Sequence, residues 1–261
     1  MVAGKVVFIT GTGRGQGRAA ALAFCAEGAH VVGGDIDAAA AIQTVRLAGA
    51  GAGAGGGSVL DGGPLDVTDE DSVRAWIGAG VARHGRIDVL YNNAGAVRWG
   101  AVDEAPYADW AYTLRSELDP VFLTTKHAWP HLKRRGGSVI NVASTAGLRG
   151  SVTNKRVAHS ASKAGVIGAT RQLAAEGAAH GIRVNAISPG MIDTEGGQDL
   201  IGDPDHPMHR IAGSVPLGRL GTPADVVNVA LFLASDKAAY VTGANIVVDG
   251  GWSAVLPGPA A

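Results

Sequence analysis

The stretch 5–35 constrains this chain more than any other. Val6-Val7-Phe8-Ile9 is apolar and rich in β-branched residues, as a strand buried on both faces requires. The run breaks into Thr10-Gly11-Thr12-Gly13-Arg14-Gly15-Gln16-Gly17, then resumes over 18–27 as an alanine-rich helix former. A second strand over 30–34 leads to Asp35. Strand, glycine turn, helix, strand and acid, in that order, are the layout of a dinucleotide site. Glycine lets the backbone approach a pyrophosphate, and free N–H groups at the helix start favour its negative charge. Asp35 follows Gly17 by 18 positions, where a carboxylate can accept hydrogen bonds from an adenosine ribose. In a chain with 40 glycines such a turn alone says little; the strand, helix and acid around it give it meaning.

Strand and helix patterns alternate along the rest of the chain, which argues for a parallel sheet covered by helices. A length of 261 residues suits one large α/β domain over 1–261. Net charge is −1 with no basic block, so nucleic acid is not an expected partner. No apolar run is long enough for a membrane span, and the first strand begins too early for a signal peptide, so the expectation is a soluble, cytoplasmic protein without a membrane partner. Cys25 reads as a small core residue, having no basic neighbour in sequence to activate it. No metal site is expected. Residues 49–63 are mostly Gly and Ala and read as a loose connection with a short, poor strand over 58–65. Thr68, three residues before Asp71, has the spacing of a helix cap. A fourth strand is expected over 87–91, a fifth over 138–142 and a sixth, with its terminal turn, over 181–190, and Pro120 should interrupt a helical segment over 107–135. Thr222-Pro223 opens a last helix, with Thr222 as N-cap.

The glycine spacing T-G-x-x-x-G-x-G and the string Asn92-Asn93-Ala94-Gly95 after the fourth strand resemble the short-chain dehydrogenase/reductase family. Ser160-Ala161-Ser162-Lys163-Ala164, Arg183-Val184-Asn185 with Pro189-Gly190, and the C-terminal 242–251 segment are similar to the family as well, so the resemblance covers nearly the whole chain. It implies a single-domain, doubly wound (Rossmann) α/β fold with a mostly parallel, seven-stranded sheet. It also implies a nicotinamide cofactor bound by Gly11, Arg14, Gly15, Gln16, Gly17, Asp35, Ile36, Asn93, Ala94, Gly95, Lys163, Pro189 and Gly190. By the same resemblance Asp66 and Val67 contact adenine, and Ile192 and Thr194 the nicotinamide carboxamide. Asp35 favours NAD, because it occupies the space of a 2′-phosphate, while Arg14 leaves NADP open. Homotetramers or homodimers are the family's usual assemblies.

Two positions depart from the family. Where its catalytic tyrosine stands, four residues before the lysine, this chain has His159; where it carries a helix asparagine, this chain has Glu117. Ser144 matches the serine that hydrogen-bonds the reacting oxygen. The resemblance therefore implies catalysis by Ser144, His159, Lys163 and Glu117, with Trp99, Met191 and Trp252 as pocket walls on family position. Glu117 could equally be an exposed helix residue. Lys163 beside His159 would keep the imidazole neutral, unless Glu117 offsets that charge. From 191 to 209 the chain holds Asp193, Glu195, Asp199, Asp203 and Asp205 and no Lys or Arg, an acidic lid over 191–213; a tail follows over 253–261. The expected function is hydride transfer between nicotinamide and a small-molecule carbonyl or alcohol. One alternative is imine reduction, with Glu117 attracting an iminium cation; another is an NAD-binding pseudoenzyme.

Overall fold

The computed structural model describes residues 1–50, 56–195 and 211–255. Seven strands form one sheet, β1 (Val6–Thr10), β2 (His30–Asp35), β3 (Ser58–Pro64), β4 (Val89–Asn92), β5 (Gly137–Val142), β6 (Ile182–Pro189) and β7 (Asn245–Val248). Their order is β3-β2-β1-β4-β5-β6-β7, and every neighbouring pair is parallel. Chain order reverses between β1 and β4, which opens a crevice beyond the carboxyl ends of those strands.

The helices are α1 (Gly15–Ala26), α2 (Ala38–Ala50), α3 (Glu70–His84), α4 (Tyr107–Glu117), α5 (Asp119–Leu132), α6 (Val157–Gly177) and α7 (Pro223–Ala234). Two apolar cores follow from the alternation of strand side chains. One joins Val7, Ile9 and Tyr91 to Phe24 of α1 and Val226 and Leu231 of α7. The other joins Phe8, Leu90 and Val139 to Trp76 of α3, Leu132 of α5 and Ala174 of α6. Phe8 meets Trp76 edge to face, with centroids 5.2 Å apart, and Trp76 Nε1 donates to the Gly33 carbonyl at 3.1 Å. Cys25 is buried among these residues, and burial pushes its thiol pKa up, so it packs as a small apolar group. Among the described residues no helix is long and apolar enough to cross a membrane, and no group of three or more His, Cys, Asp or Glu is placed to hold a metal ion.

Local expectations are corrected in two places, at the cap of α3 and at the start of β4. Asp69, not Thr68, caps α3: its carboxylate accepts from the Asp71 amide at 3.1 Å, while the amide and hydroxyl of Thr68 both turn back to Asp66 Oδ1. The glycine-rich strand forms over nearly its expected span: β3 pairs with β2 from Ser58 to Pro64, with a register shift between Gly33 and Asp35. Its approach needs glycine, because a Cβ at Gly57 would lie 2.1 Å from the Cys25 carbonyl. Residues 51–55 lie outside the described residues. β4 begins at Val89, two residues later than expected; Asp88 stands at its start, its carboxylate accepting from the Val6 amide at 2.7 Å and Arg86 Nε at 2.8 Å. The start of the C-terminal tail is ordered, with the Ser253 amide donating to Asp249 Oδ2 at 2.7 Å; residues 256–261 lie outside the described residues. Other expectations hold. The 107–135 helix breaks at Leu118 and restarts with Pro120 in its first turn, and Thr222 and Asp225 form a reciprocal capping box on α7.

Candidate active site

The crevice at β1 and β4 is built by backbone proximity. Gly11 and Gly15 have φ of 74° and 54°, which glycine adopts without strain. A Cβ at Gly17 would stand 1.8 Å from the Gly11 carbonyl, so the turn closes onto α1 only with glycine there. Asn93 braces it from β4, donating from Nδ2 to the Thr10 carbonyl at 3.0 Å, and the amides of Asn93 and Ala94 both donate to Thr10 Oγ1. Asp35 closes the far side, accepting from the Gly13 amide at 2.7 Å and the Asp37 amide at 2.9 Å. Arg14 and Ile36 are exposed beside it, and Gln16 Oε1 is buried without a hydrogen-bond partner. A buried orphan acceptor and a cradle that a Cβ would fill both fit a bound dinucleotide. Asp66 and Val67 follow β3 on the same rim, half-buried.

The segment after β6 folds back over this crevice. Gly190 pairs with Val248, the Thr194 methyl lies 3.7 Å from the Cβ position of Gly15, and Ile192 is buried against Gly221. Met191 is held by its carbonyl, which accepts from the Gly221 amide at 2.9 Å. Glu195 reaches furthest: its Oε2 accepts from the Gly15 amide at 3.0 Å and its Oε1 lies 3.3 Å from Arg18 Nη1. A carboxylate thus sits on an amide at the start of α1, where the helix dipole favours negative charge. The lid residues Asp199, Asp203 and Asp205 lie outside the described residues.

A cluster of the candidate site residues is assembled by three elements. The 3-10 turn Thr145–Gly147 after β5 is capped by Ser144, whose Oγ accepts from the Ala146 amide at 3.0 Å. Gly147 lets that turn lie on α6, since a Cβ there would stand 2.7 Å from the Lys163 carbonyl carbon and the Ala164 amide nitrogen. The helix break at Leu118 leaves Glu117 as the last residue of α4, 5 % exposed. His159 Nδ1 lies 2.8 Å from Glu117 Oε1 and 2.9 Å from Oε2, the Ser162 hydroxyl donates to Oε2, and Lys163 Nζ is 3.9 Å from Oε1. Lys163 also donates to the Val142 carbonyl at 3.0 Å.

Burial alone would raise the Glu117 pKa. The hydrogen bond from His159, the Lys163 charge and the Ser162 hydroxyl outweigh it and hold the carboxyl below its ordinary range. Burial lowers the Lys163 pKa, and Glu117 offsets part of that. An ionised carboxylate only accepts, so the proton shared with Glu117 sits on His159 Nδ1, and Nε2 is the ring nitrogen left for chemistry. Of the two charges expected near His159, Lys163 and Glu117, the one in hydrogen-bond contact with the ring is the carboxylate. Glu117 as an exposed helix residue is also ruled out by its burial.

Trp99 presents its ring edge to His159, with centroids 5.4 Å apart, while Trp252 lies against Arg149. Sequence reasoning missed Ser162 as a functional residue, although its spacing of three from His159 puts both on one helix face. It also missed the buried network that seats α5 and α6 on the sheet. Thr124 donates to Asn92 at 2.7 Å, Asn92 to Asn141 at 2.9 Å and Asn141 to Thr170 at 3.0 Å. No local pattern marks such a network, since its members come from four elements.

A family model described as enoyl-(acyl carrier protein) reductase matches residues 11–253. The chain is 41 % identical over 249 residues to the 3-oxoacyl-(acyl-carrier-protein) reductase FabG of Thermotoga maritima, covering 95 % of this chain and 97 % of that protein. It is 39 % identical over 254 residues to trans-4-hydroxycyclohexanecarboxylate dehydrogenase of Sinomonas cyclohexanicum, covering 97 % and 94 %. Among solved structures, levodione reductase superposes with a TM-score of 0.90 at 33 % identity, covering 98 % of this chain and 100 % of the other. A protein from Mycobacterium marinum superposes with a TM-score of 0.90 at 33 % identity, covering 97 % of both.

Proposed function

We propose that this chain, which belongs to the short-chain dehydrogenase/reductase family of NAD(P)-dependent oxidoreductases acting on small molecules, works on a carbonyl or alcohol through a Glu117–His159 pair. The observation that carries this is the two-pronged contact of Glu117 with His159 Nδ1. The bound nicotinamide supplies or accepts the hydride. Lys163 and the β1–β4 crevice would hold it, with Thr194 near its carboxamide. In the reducing direction His159 would have to start as the imidazolium, its charge balanced by Glu117; it then gives the Nε2 proton to the oxygen that gains charge and keeps the Nδ1 proton on Glu117, while Ser144 orients that oxygen. In the oxidising direction Nε2 takes the hydroxyl proton, and Glu117 supplies the counter-charge for the imidazolium, as a triad carboxylate does. Trp99 packs against the His159 ring in a T-shaped contact and forms one wall of the pocket. Purified protein tested with NADH and NADPH on ketones, and with NAD and NADP on alcohols, decides the matter. Cofactor binding without turnover across that panel would mean a pseudoenzyme.

Glu117 is already engaged by His159 and Ser162 and lies near Lys163, so its charge is spent within the protein. That removes the support for an iminium substrate. The one-domain organisation over 1–261, a cytoplasmic location and a homo-oligomer belong to the same proposal. Exposed Tyr112 and Phe122 on α4 and α5 supply apolar surface for a second copy.

NAD is the proposed cofactor. Asp35 is pinned by two amides on the ribose side of the turn and would repel a 2′-phosphate. Asp35→Ala should raise the NADPH-to-NADH ratio of kcat/KM by roughly tenfold or more, since juxtaposed like charges cost several kcal/mol. Wild-type preference for NADPH, with no further gain in the variant, would refute this. Glu195 competes with cofactor phosphate for the Gly15 amide. Glu195→Gln should tighten NADH binding by about 2- to 10-fold, from the worth of one charge at a helix start. Fluorescence titration reads this directly, and unchanged or weaker binding would count against it.

A further inference from the structure

The loop that joins the Ser144 turn to α6 carries a charge arrangement that hydride transfer leaves unused. Arg156 is the N-cap residue of α6, one turn before His159. Its backbone bridges to Gly100, next to Trp99, whose ring meets the His159 ring. The Arg156 side chain is half-buried; its Nε is fully buried with no hydrogen-bond partner, and Nη2 reaches the Arg149 carbonyl at 3.4 Å. Arg149 in turn donates to the Trp252 carbonyl and holds its guanidinium 5.9 Å from the Trp252 ring centre. Lys155 adds a further positive charge on the exposed rim. Among the described residues, neither guanidinium lies within ion-pair distance of a carboxylate. Burial, with the charge of Arg149 added, holds the Arg156 guanidinium below its ordinary pKa range.

An orphan buried N–H and two adjacent cations without a counter-ion are both unfavourable in an isolated protein. A ligand anion would relieve the second. A planar carboxylate accepts from the two Nη groups of a guanidinium in two parallel bonds, a match that an ammonium cannot make. We propose that Arg156, assisted by Arg149, is the anion subsite of the substrate pocket, and that the substrate is a carbonyl or alcohol compound carrying a carboxylate. This rests on the hydride-transfer function proposed above. Residues three apart on a helix have Cβ atoms ~5–6 Å apart. A ring or short chain therefore spans the distance from the reacting carbon beside His159 to a carboxylate on Arg156.

The test uses the full chain loaded with NADH. Calorimetric titration with cyclohexanecarboxylate should saturate, and cyclohexanecarboxamide should bind at least about tenfold more weakly. Arg156→Met should lose about tenfold or more in carboxylate affinity, while Arg156→Lys keeps part of it as a point charge without the fork. In turnover, ring keto acids should exceed their matched carboxamides in kcat/KM, chiefly through KM, and Arg156→Met should collapse that ratio. Circular dichroism confirms that each variant is folded. Equal binding of acid and amide, or full retention of carboxylate binding in folded Arg156→Met, overturns the subsite. Carboxylate binding that depends on Arg156, without turnover of any keto acid, upholds the subsite and refutes hydride transfer. Turnover of neutral ketones without carboxylate binding refutes the subsite alone.

Discussion

His159→Ala lowers kcat for ketone reduction by ~10²–10⁴-fold, the usual worth of a positioned proton donor, while the Kd for NADH stays within about threefold. Steady-state kinetics read the first quantity and fluorescence titration the second. The split follows from where His159 stands: its Nδ1 is tied to Glu117, its ring faces Trp99, and the described dinucleotide crevice is built from β1, α1 and β4. His159→Gln can still hydrogen-bond Glu117 but cannot shuttle a proton, so it should fall nearly as far as alanine. A His159→Ala enzyme within threefold of wild type would show that another group moves the proton, and the Glu117–His159 mechanism would fail.

Glu117→Leu should cost ~3–5 kcal/mol of folding stability, because it leaves the buried Lys163 ammonium without its carboxylate and His159 Nδ1 without its acceptor. At ~2–4 °C per kcal/mol for a chain of this size class, thermal unfolding should shift down by roughly 6–20 °C. Glu117→Gln keeps the shape and one acceptor oxygen, so its loss should be smaller and its damage mainly catalytic. The pH dependence has a definite sign. Glu117 has a lowered pKa in the folded protein, so its contribution is fully present above the unfolded carboxyl value of 4.5 and is lost as pH falls through the lower folded value. Chemical denaturation should therefore find the gap between wild type and Glu117→Leu constant from pH 7 down to about pH 5 and narrowing only as the pH falls below 4.5. A Glu117→Leu protein as stable as wild type at pH 7 would mean that the cluster is not an electrostatic unit.

Features whose requirement lies within a few neighbouring residues were determined by the sequence alone. The glycine turn is one. Gly11 and Gly15 need positive φ, Gly17 must admit the Gly11 carbonyl, and each demand names its own residue type. The strand β1 is another, because burial on both faces forces its near-continuous apolar run. The Thr222-Pro223 start of α7 is a third, since a cap and a first-turn proline act within three residues. Where two local partners compete, the sequence points the wrong way: Thr68 looked like the cap of α3, but Asp66 captured its hydroxyl and left Asp69 to take the Asp71 amide.

That histidine and glutamate meet in this site was decided only by tertiary structure. Glu117 and His159 are 42 positions apart, and no spacing rule relates them. They meet because α4 stops at Leu118, and because Gly147 and Gly165 let neighbouring groups lie close to α6. Sequence adjacency put Lys163 beside His159, since four residues on a helix share a face, and left open whether Glu117 offsets it. The fold placed that carboxylate, buried, in direct contact with the ring. Coulomb energy falls with distance and a hydrogen bond fixes a proton, so the nearer partner dominates. That is a matter of ångströms, which only the packing of α4 against α6 could decide.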